Sequence, residues 1–348
     1  MDANDATRAS DAPLVGRDLR LRRLRWLLRV SHPARIVEVV RDSGPWMALA
    51  LFPFLAAATF DALGWRRLMG VLDLRPAFFE VLRVRISLEA LILTLPGGAV
   101  IAESTAPALL AARCDMPVRD AVVAVAARRW ITLRANAIYL AAGAVLGFGA
   151  LQAASQRLIS RSGLGVVALL LPLVPLSLSF LLEGTLSRGS FAHALHRRLS
   201  HLPGSAGRWF ARREAAFAAV DEDFQRFGHG GSAVWPATAA YLAAWTLESV
   251  ETWAILKLLG AQVPFLTALA FEPALSLLRS AAFFVPAGLG AQDLGYVAFL
   301  GGGPLAFAFV AVKRLKEMFW AAIGWALLVL GRTGKSAAPE SGTAEACA

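Results

Sequence analysis

The apolar positions of this chain fall in long blocks, not at the spacing of one helix face. Four runs carry no charge: Ser43 to Phe60, Ala135 to Gln156, Gly163 to Leu182 and Leu294 to Val312. Each is about 18 residues or more, enough to cross ~30 Å of hydrocarbon as a helix. A helix packed on a soluble core keeps a polar face, and these runs have none. The pattern predicts an all-α, polytopic integral membrane protein. It has about seven to nine membrane segments in two pseudo-repeats with broken or re-entrant helices.

In chain order, residues 1–42 are polar and basic. Arg20, Arg22, Arg23, Arg25 and Arg29 interleave with Leu21, Leu24, Trp26, Leu27 and Leu28. This reads as a cytoplasmic or interfacial amphipathic segment, or as a disordered basic tail. Residues 43–183 form the first membrane repeat. It has a helix over 45–63, a basic loop with Arg66, Arg67 and Arg75, an interrupted apolar stretch over 78–112, a long helix over 118–150 and a span over 163–183. Residues 184–232 are a polar connector with one amphipathic helix, Arg208 to Phe227. Residues 233–331 form the second repeat, with helices over 233–259, 264–285 and 305–330, and a short helix ending near Leu300 before the Gly301-Gly302-Gly303-Pro304 turn. Residues 332–348 read as a disordered tail.

One short pattern occurs in both repeats. Leu95-Pro96-Gly97-Gly98 leads to Glu103, and Val285-Pro286-Ala287-Gly288-Leu289-Gly290 leads to Asp293, each acid seven positions after its proline. Seven positions before the prolines stand Glu89 and Arg279. Proline removes a backbone donor and glycine frees the dihedrals, so a continuous helix breaks at Pro96, Gly97 and Gly98 and at Pro286, Gly288 and Gly290. Inside a membrane a broken helix is tolerated where protein or a water-filled cavity covers the open backbone. A basic pair follows each break: Arg128-Arg129 at 32 and 33 residues after Pro96, and Lys313-Arg314 at 27 and 28 after Pro286. Two matched halves with interrupted helices are the plan of secondary transporters, whose substrate site lies at the breaks. The spacing leaves open whether the repeats are inverted.

The chain is 57% apolar with a mean hydropathy of +0.56, which removes the ordinary soluble classes. Its net charge of +10 would suggest nucleic acid in a soluble protein. Here the basic residues lie between apolar runs, so the expected partners are membrane lipids with anionic headgroups, not nucleic acid. The N-terminus is expected in the cytoplasm, although loop charges do not alternate cleanly. Cys114 and Cys347 form no metal or redox motif. His193, His196 and His201 sit beside Arg197 and Arg198, which repel cations, so no metal site is expected. No nucleophile elbow, phosphate loop or dinucleotide fingerprint is present, and no cofactor is expected.

Candidate chemistry rests on charges among apolar residues, where an isolated carboxylate costs several kcal/mol unless paired or wet. Glu103 and Asp293 read either as walls of a polar cavity or as caps at new helix N-termini. Glu89 and Arg279 read as a pair across the pseudo-symmetry axis, or as two side chains reaching the interface. Arg128, Arg129, Lys313 and Arg314 suit phosphate or carboxylate headgroups, or plain membrane anchoring. Glu248 and Glu251 face the bundle interior or the cavity.

Together, Trp65-Arg66-Arg67-Leu68, Leu95-Pro96-Gly97-Gly98 with Glu103, Arg128-Arg129, the Val285 to Asp293 segment and Lys313-Arg314-Leu315 resemble the lysylphosphatidylglycerol synthase transmembrane region, a flippase-like membrane family. The Asp61 to Trp65 stretch and the Gly290-Ala291-Gln292-Asp293 ending are most similar to a hopanoid-associated subgroup. The resemblance implies a multi-pass inner-membrane protein that moves lipids or lipid-linked molecules between leaflets. The family often has an acid directly after a glycine in its first motif, whereas Ala102 precedes Glu103 here. The chain runs 17 residues beyond position 331, so the soluble synthase domain, and with it aminoacyl transfer, is not expected. The alternative is an accessory or scaffold subunit beside lipid-biosynthesis enzymes, or an enzyme using intramembrane carboxylates as acid and base.

Overall fold

The computed structural model describes residues 44–333, apart from 161–162, 190, 230 and 282–283, together with residues 38, 41 and 42. The basic N-terminal segment and the polar tail from residue 334 lie outside the described residues. All regular structure among the described residues is helical.

A 3₁₀ turn, Gly44–Leu51, opens into α1 (Phe52–Val71), with Pro53 in its first turn, where a missing N–H costs nothing. The expected basic loop after α1 is a correction. Arg66 and Arg67 stay inside the helix, and Arg66 Nε donates to the Pro76 carbonyl 3.0 Å away, bridging the short turn. α2 (Phe78–Thr94) and α3 (Gly98–Cys114) are the two sides of the first break. Leu95 is extended, as a residue before proline prefers, and Gly97 has φ +63°. A Cβ on Gly98 would come within 2.2 Å of the Leu91 carbonyl oxygen. Proline stops the helix, one glycine reverses the chain and the next lets α3 pack back along α2.

α4 (Val118–Leu146) ends at Gly147, so the expected 118–150 helix divides there into α4 and α5 (Phe148–Ile159). The reason is packing: a Cβ on Gly147 would lie 2.1 Å from that of Ala270. The 163–183 span is two pieces, α6 (Leu164–Leu170) and α7 (Leu173–Ser187), separated at Pro172. The connector holds α8 (Phe191–Ser200), α9 (Ser205–Ala211) and α10 (Glu214–His229). The single amphipathic helix read over 208–227 is therefore broken at Arg212-Arg213. Asp221 on α10 accepts the Ala192 and His193 N–H groups at 2.7 and 2.8 Å, capping the start of α8.

The second half has α11 (Gly231–Leu258), α12 (Phe265–Ala281), a 3₁₀ turn at Pro286–Gly288, α13 (Ala291–Phe299) and α14 (Gly303–Thr333). Gly301, Gly302 and Gly303 all have φ near +80°, a conformation open to glycine and strained for other residues.

The two halves are related by an antiparallel arrangement. Pro286 lies 190 positions after Pro96, and the same offset pairs α1 with α11. Ala50, at the start of α1, packs in one cluster with Ile255, Leu256 and Leu259, near the end of α11. Gly64, late in α1, meets Ala240 and Tyr241, early in α11, where an added Cβ would find atoms at 3.1–3.3 Å. Adding 190 to Gly64 gives position 254, and subtracting 190 from Ala240 and Tyr241 gives 50 and 51. α1 and α11 therefore cross in antiparallel sense about a midpoint near Ala57 and Leu247, the crossing that a two-fold axis perpendicular to both helices would give. The halves also exchange partners. α2 packs on α14, where Gly324 meets the Ile86 and Ala90 backbone, and α12 packs on α4, where Gly143 meets Leu269 and Pro273. Small residues allow this close approach.

Candidate functional site

The broken helices, the axis helices and the basic helices enclose a cavity of about 290 Å³. Both breaks reach it, through Gly98 and through Val285 and Gly288. Its wall carries six cations, Arg85, Arg128, Arg129, Arg279, Lys313 and Lys316, and six carboxylates, Asp61, Glu89, Glu103, Glu248, Glu251 and Glu317. The wall is formally neutral, and its charges come from both halves.

Each charge has a structural reason to be there. Asp61 of α1 accepts from Arg85 Nε at 2.7 Å and from Arg128 Nε and Nη2 at 3.0 and 2.8 Å. Arg85 also donates to Glu89, one turn further on α2, at 2.6 Å. The Arg128 guanidinium lies over the Trp65 ring, 4.9 Å from its centre, a favourable cation–π geometry. In the second half, Lys316 donates to Glu251 at 2.7 Å. Lys313 is drawn the other way, into a buried cluster where it donates to Glu272 at 2.7 Å and to Thr252 at 3.1 Å. Tyr296 completes that cluster by donating to Glu272 at 2.7 Å and accepting from Gln292 at 3.0 Å. Buried charges held this way fix geometry more than they add stability.

The residues expected at a site divide accordingly. Glu89, Glu103, Arg128, Arg129, Glu248, Glu251, Arg279 and Lys313 share the wall. Asp293 and Arg314 are off it. Asp293 accepts the Gly290 N–H at 3.0 Å at the start of α13, and Arg314 donates to Asp293 at 2.7 Å and to Glu317 at 2.5 Å. Asp293 thus follows the capping reading, and Arg314 is paired with it rather than set on the cavity wall. The expected Glu89–Arg279 pair is also corrected: Glu89 is taken by Arg85 on its own helix, and Arg279 faces Glu248 at 3.6 Å. The connector histidines hold no metal cluster among the described residues, and His196 Nε2 lies 3.1 Å from the Phe210 carbonyl oxygen.

Asp61, Arg85, Glu272, Lys316 and Glu317 were not singled out by spacing. Asp61 had a usable signal, since Glu251 stands 190 positions later, the same offset as the two prolines. Three further buried polar atoms belong to wall residues and have no hydrogen-bond partner among the described residues: Thr132 Oγ1, Tyr241 Oη and Trp320 Nε1.

Two stretches, Gly44–Val71 and Gly165–Thr185, are long and apolar enough to cross a membrane. α4, α11 and α14 are longer, at 28 to 31 residues, but carry wall charges, which lowers their hydropathy while the charges turn inward. A helical molecule built of two antiparallel halves, with its charges gathered around an internal cavity, is the architecture of an integral membrane protein. The chain matches the family model described as the lysylphosphatidylglycerol synthase TM region over residues 23–315 and belongs to that family, a family of membrane proteins of lipid-related function. No curated protein and no solved structure matches the chain significantly.

Proposed function

We propose that this protein moves a lipid or lipid-linked amphiphile between the leaflets of the bacterial inner membrane. The observation that carries the reading is the charged cavity walled by both halves at both helix breaks. Helices that span a bilayer stand across it, so an axis perpendicular to α1 and α11 lies in the membrane plane. The halves are then inverted copies, the arrangement that permits alternating exposure of one central site. α1, the α2–α3 hairpin, α4, α6–α7, α11, α12–α13 and α14 supply the seven to nine membrane segments, with the N-terminal end on the cytoplasmic side. A volume near 290 Å³ lies at the small end of ligand sites, roughly 300–1,000 Å³. It accommodates a headgroup and leaves the acyl chains in the surrounding hydrocarbon.

The test is leaflet exchange of acyl-labelled lipids from a total membrane extract in proteoliposomes, comparing wild type with Asp61→Asn and Glu103→Gln. Exchange above empty liposomes that these substitutions reduce at least about tenfold, in folded protein, is the expected result. No exchange of any lipid by folded wild type overturns the proposal in favour of an accessory or enzymatic role.

A further inference from the structure

Four of the six wall cations, Arg85, Arg128, Lys313 and Lys316, are tied to carboxylates by hydrogen bonds of 2.6–3.0 Å. A fifth, Arg129, is two-thirds exposed and reaches Glu103 at 3.5 Å. Arg279 differs from all of them. It has no hydrogen bond among the described residues, and its ion pair with Glu248 is 3.6 Å long, with both side chains about one-third exposed. Glu248 likewise has no hydrogen bond among the described residues. An arginine fork and a carboxylate therefore stand side by side on the cavity wall, 3.6 Å apart, with no hydrogen bond spent among the described residues. They also sit centrally: Glu248 adjoins Leu247 at the two-fold axis, and the Arg279 stem lies against Gly288 of the second break, where an added Cβ would be 3.1 Å from Cγ.

Resting on the transport reading, we propose that Arg279 and Glu248 select a net-neutral zwitterionic headgroup, a phosphodiester joined to a primary ammonium. The phosphodiester accepts the paired N–H donors of Arg279 in the bidentate geometry that guanidinium suits. The ammonium donates to Glu248. Such a dipole, bound alongside the pair with its phosphodiester on Arg279 and its ammonium on Glu248, satisfies both charges and leaves the neutral wall neutral. An anionic headgroup leaves Glu248 in repulsion, and a headgroup with net positive charge leaves one cation unmatched. A second observation also calls for a polar occupant: Tyr241 Oη, Trp320 Nε1 and Thr132 Oγ1 are buried on the same wall without partners among the described residues. Buried polar groups are satisfied in nearly all proteins, and here a headgroup or its water shell fills that role.

Two measurements separate this inference from the transport reading. The first is leaflet exchange of acyl-labelled phosphatidylethanolamine, phosphatidylcholine and phosphatidylglycerol by the full-length chain in proteoliposomes. Phosphatidylethanolamine is expected to exchange roughly tenfold faster than phosphatidylglycerol. Phosphatidylcholine, whose ammonium has no N–H to give Glu248, falls between them. Glu248→Gln brings phosphatidylethanolamine down to the phosphatidylglycerol rate, and Arg279→Gln slows all three. Equal wild-type rates for all three lipids overturn the selection while transport stands.

The second is quenching of the wall tryptophans, Trp245 and Trp320, in detergent by short-chain phosphatidylethanolamine, short-chain phosphatidylglycerol and chain-free glycerophosphoethanolamine. Glu248-dependent binding of the first supports the selection even if no lipid exchanges, in which case only the transport reading fails. Equal affinity for glycerophosphoethanolamine assigns the pair to a soluble zwitterion and overturns the lipid reading. Because misfolding would also silence Glu248→Gln, the exchanged pair Glu248→Arg with Arg279→Glu is measured beside it. Recovery of phosphatidylethanolamine preference in the exchanged pair supports the selection, and its absence in folded protein counts against it.

Discussion

The two halves use one backbone plan and different chemistry. In the first, the wall charges meet on one carboxylate, with Asp61 holding Arg85 and Arg128 at once, and a separate buried arginine, Arg134, pairs with Glu183 behind them. In the second, Lys313 turns away from the cavity to a buried cluster of Glu272, Tyr296 and Thr252, with Gln292 behind Tyr296. At the 190-residue offset these four positions correspond to Leu82, Ala106, Ala62 and Ala102 in the first half. The comparison separates what the halves share from what each holds alone. The breaks and the axis helices match at that offset, while the basic pairs stand five positions out of register. The buried cluster belongs to the second half, and the double-arginine carboxylate belongs to the first.

The strongest way to break the comparison is to remove one member of the second-half cluster. Lys313→Met leaves Glu272 buried without its cation and should destabilise the protein by about 3–5 kcal/mol. The double variant Lys313→Met with Glu272→Leu makes the second half resemble the first at position 272 and should recover most of that loss. Chemical unfolding in detergent measures both, and a double variant no more stable than the single would show that the cluster acts as more than a charge pair.

The next largest effect concerns the shared breaks. Gly98→Ala sets a methyl 2.2 Å from the Leu91 carbonyl oxygen and should cost about 1–3 kcal/mol through forced shifts. Gly97→Ala has open space around it and pays only for its left-handed backbone, about 1–2 kcal/mol. Melting curves that rank the two the other way would move the tight point of the turn from Gly98 to Gly97.

A smaller contrast sharpens the difference between wall and non-wall acids. Asp61→Asn should slow lipid exchange about tenfold. Asp293→Asn, whose carboxylate serves a helix start and Arg314, should act mainly through stability, about 0.5–2 kcal/mol. Equal losses of exchange at equal stability would put Asp293 in the transport path. The smallest effect lies where the first repeat meets the connector. Arg119 pairs with Asp223 of the connector, but Arg119 is about half exposed, so Arg119→Ala should cost below ~1 kcal/mol.

Much of this plan was readable from residue spacing, because proline, glycine and isolated charges act locally. Pro96 and Gly98 stop and reverse a helix wherever they stand, and the matching Pro286 and Gly288 exposed the repeat. The sense of the repeat was not readable. It depends on which end of α11 meets Ala50, a contact between residues about 200 apart. Glu89 and Arg279 looked like partners because their offsets match, yet Arg85 stands one helical turn from Glu89 and captured it. Asp293 looked like Glu103 by the same logic, but Gly290 and Arg314 occupy its carboxylate. A lone acid such as Glu272 in an apolar helix announces burial without saying which distant lysine will meet it.

The antiparallel crossing of α1 and α11 also bears on vectoriality. A body with a two-fold axis in the membrane plane looks alike from either face, so its backbone alone favours neither direction. On the transport reading, net flow follows the lipid gradient or an energy source, and a preference for loading at one face rests on the positions where the halves disagree. Two of these flank the axis: Glu248 against Ala58, and Arg279 against Glu89. A few side chains, and not the scaffold, would tell such a molecule which way is out.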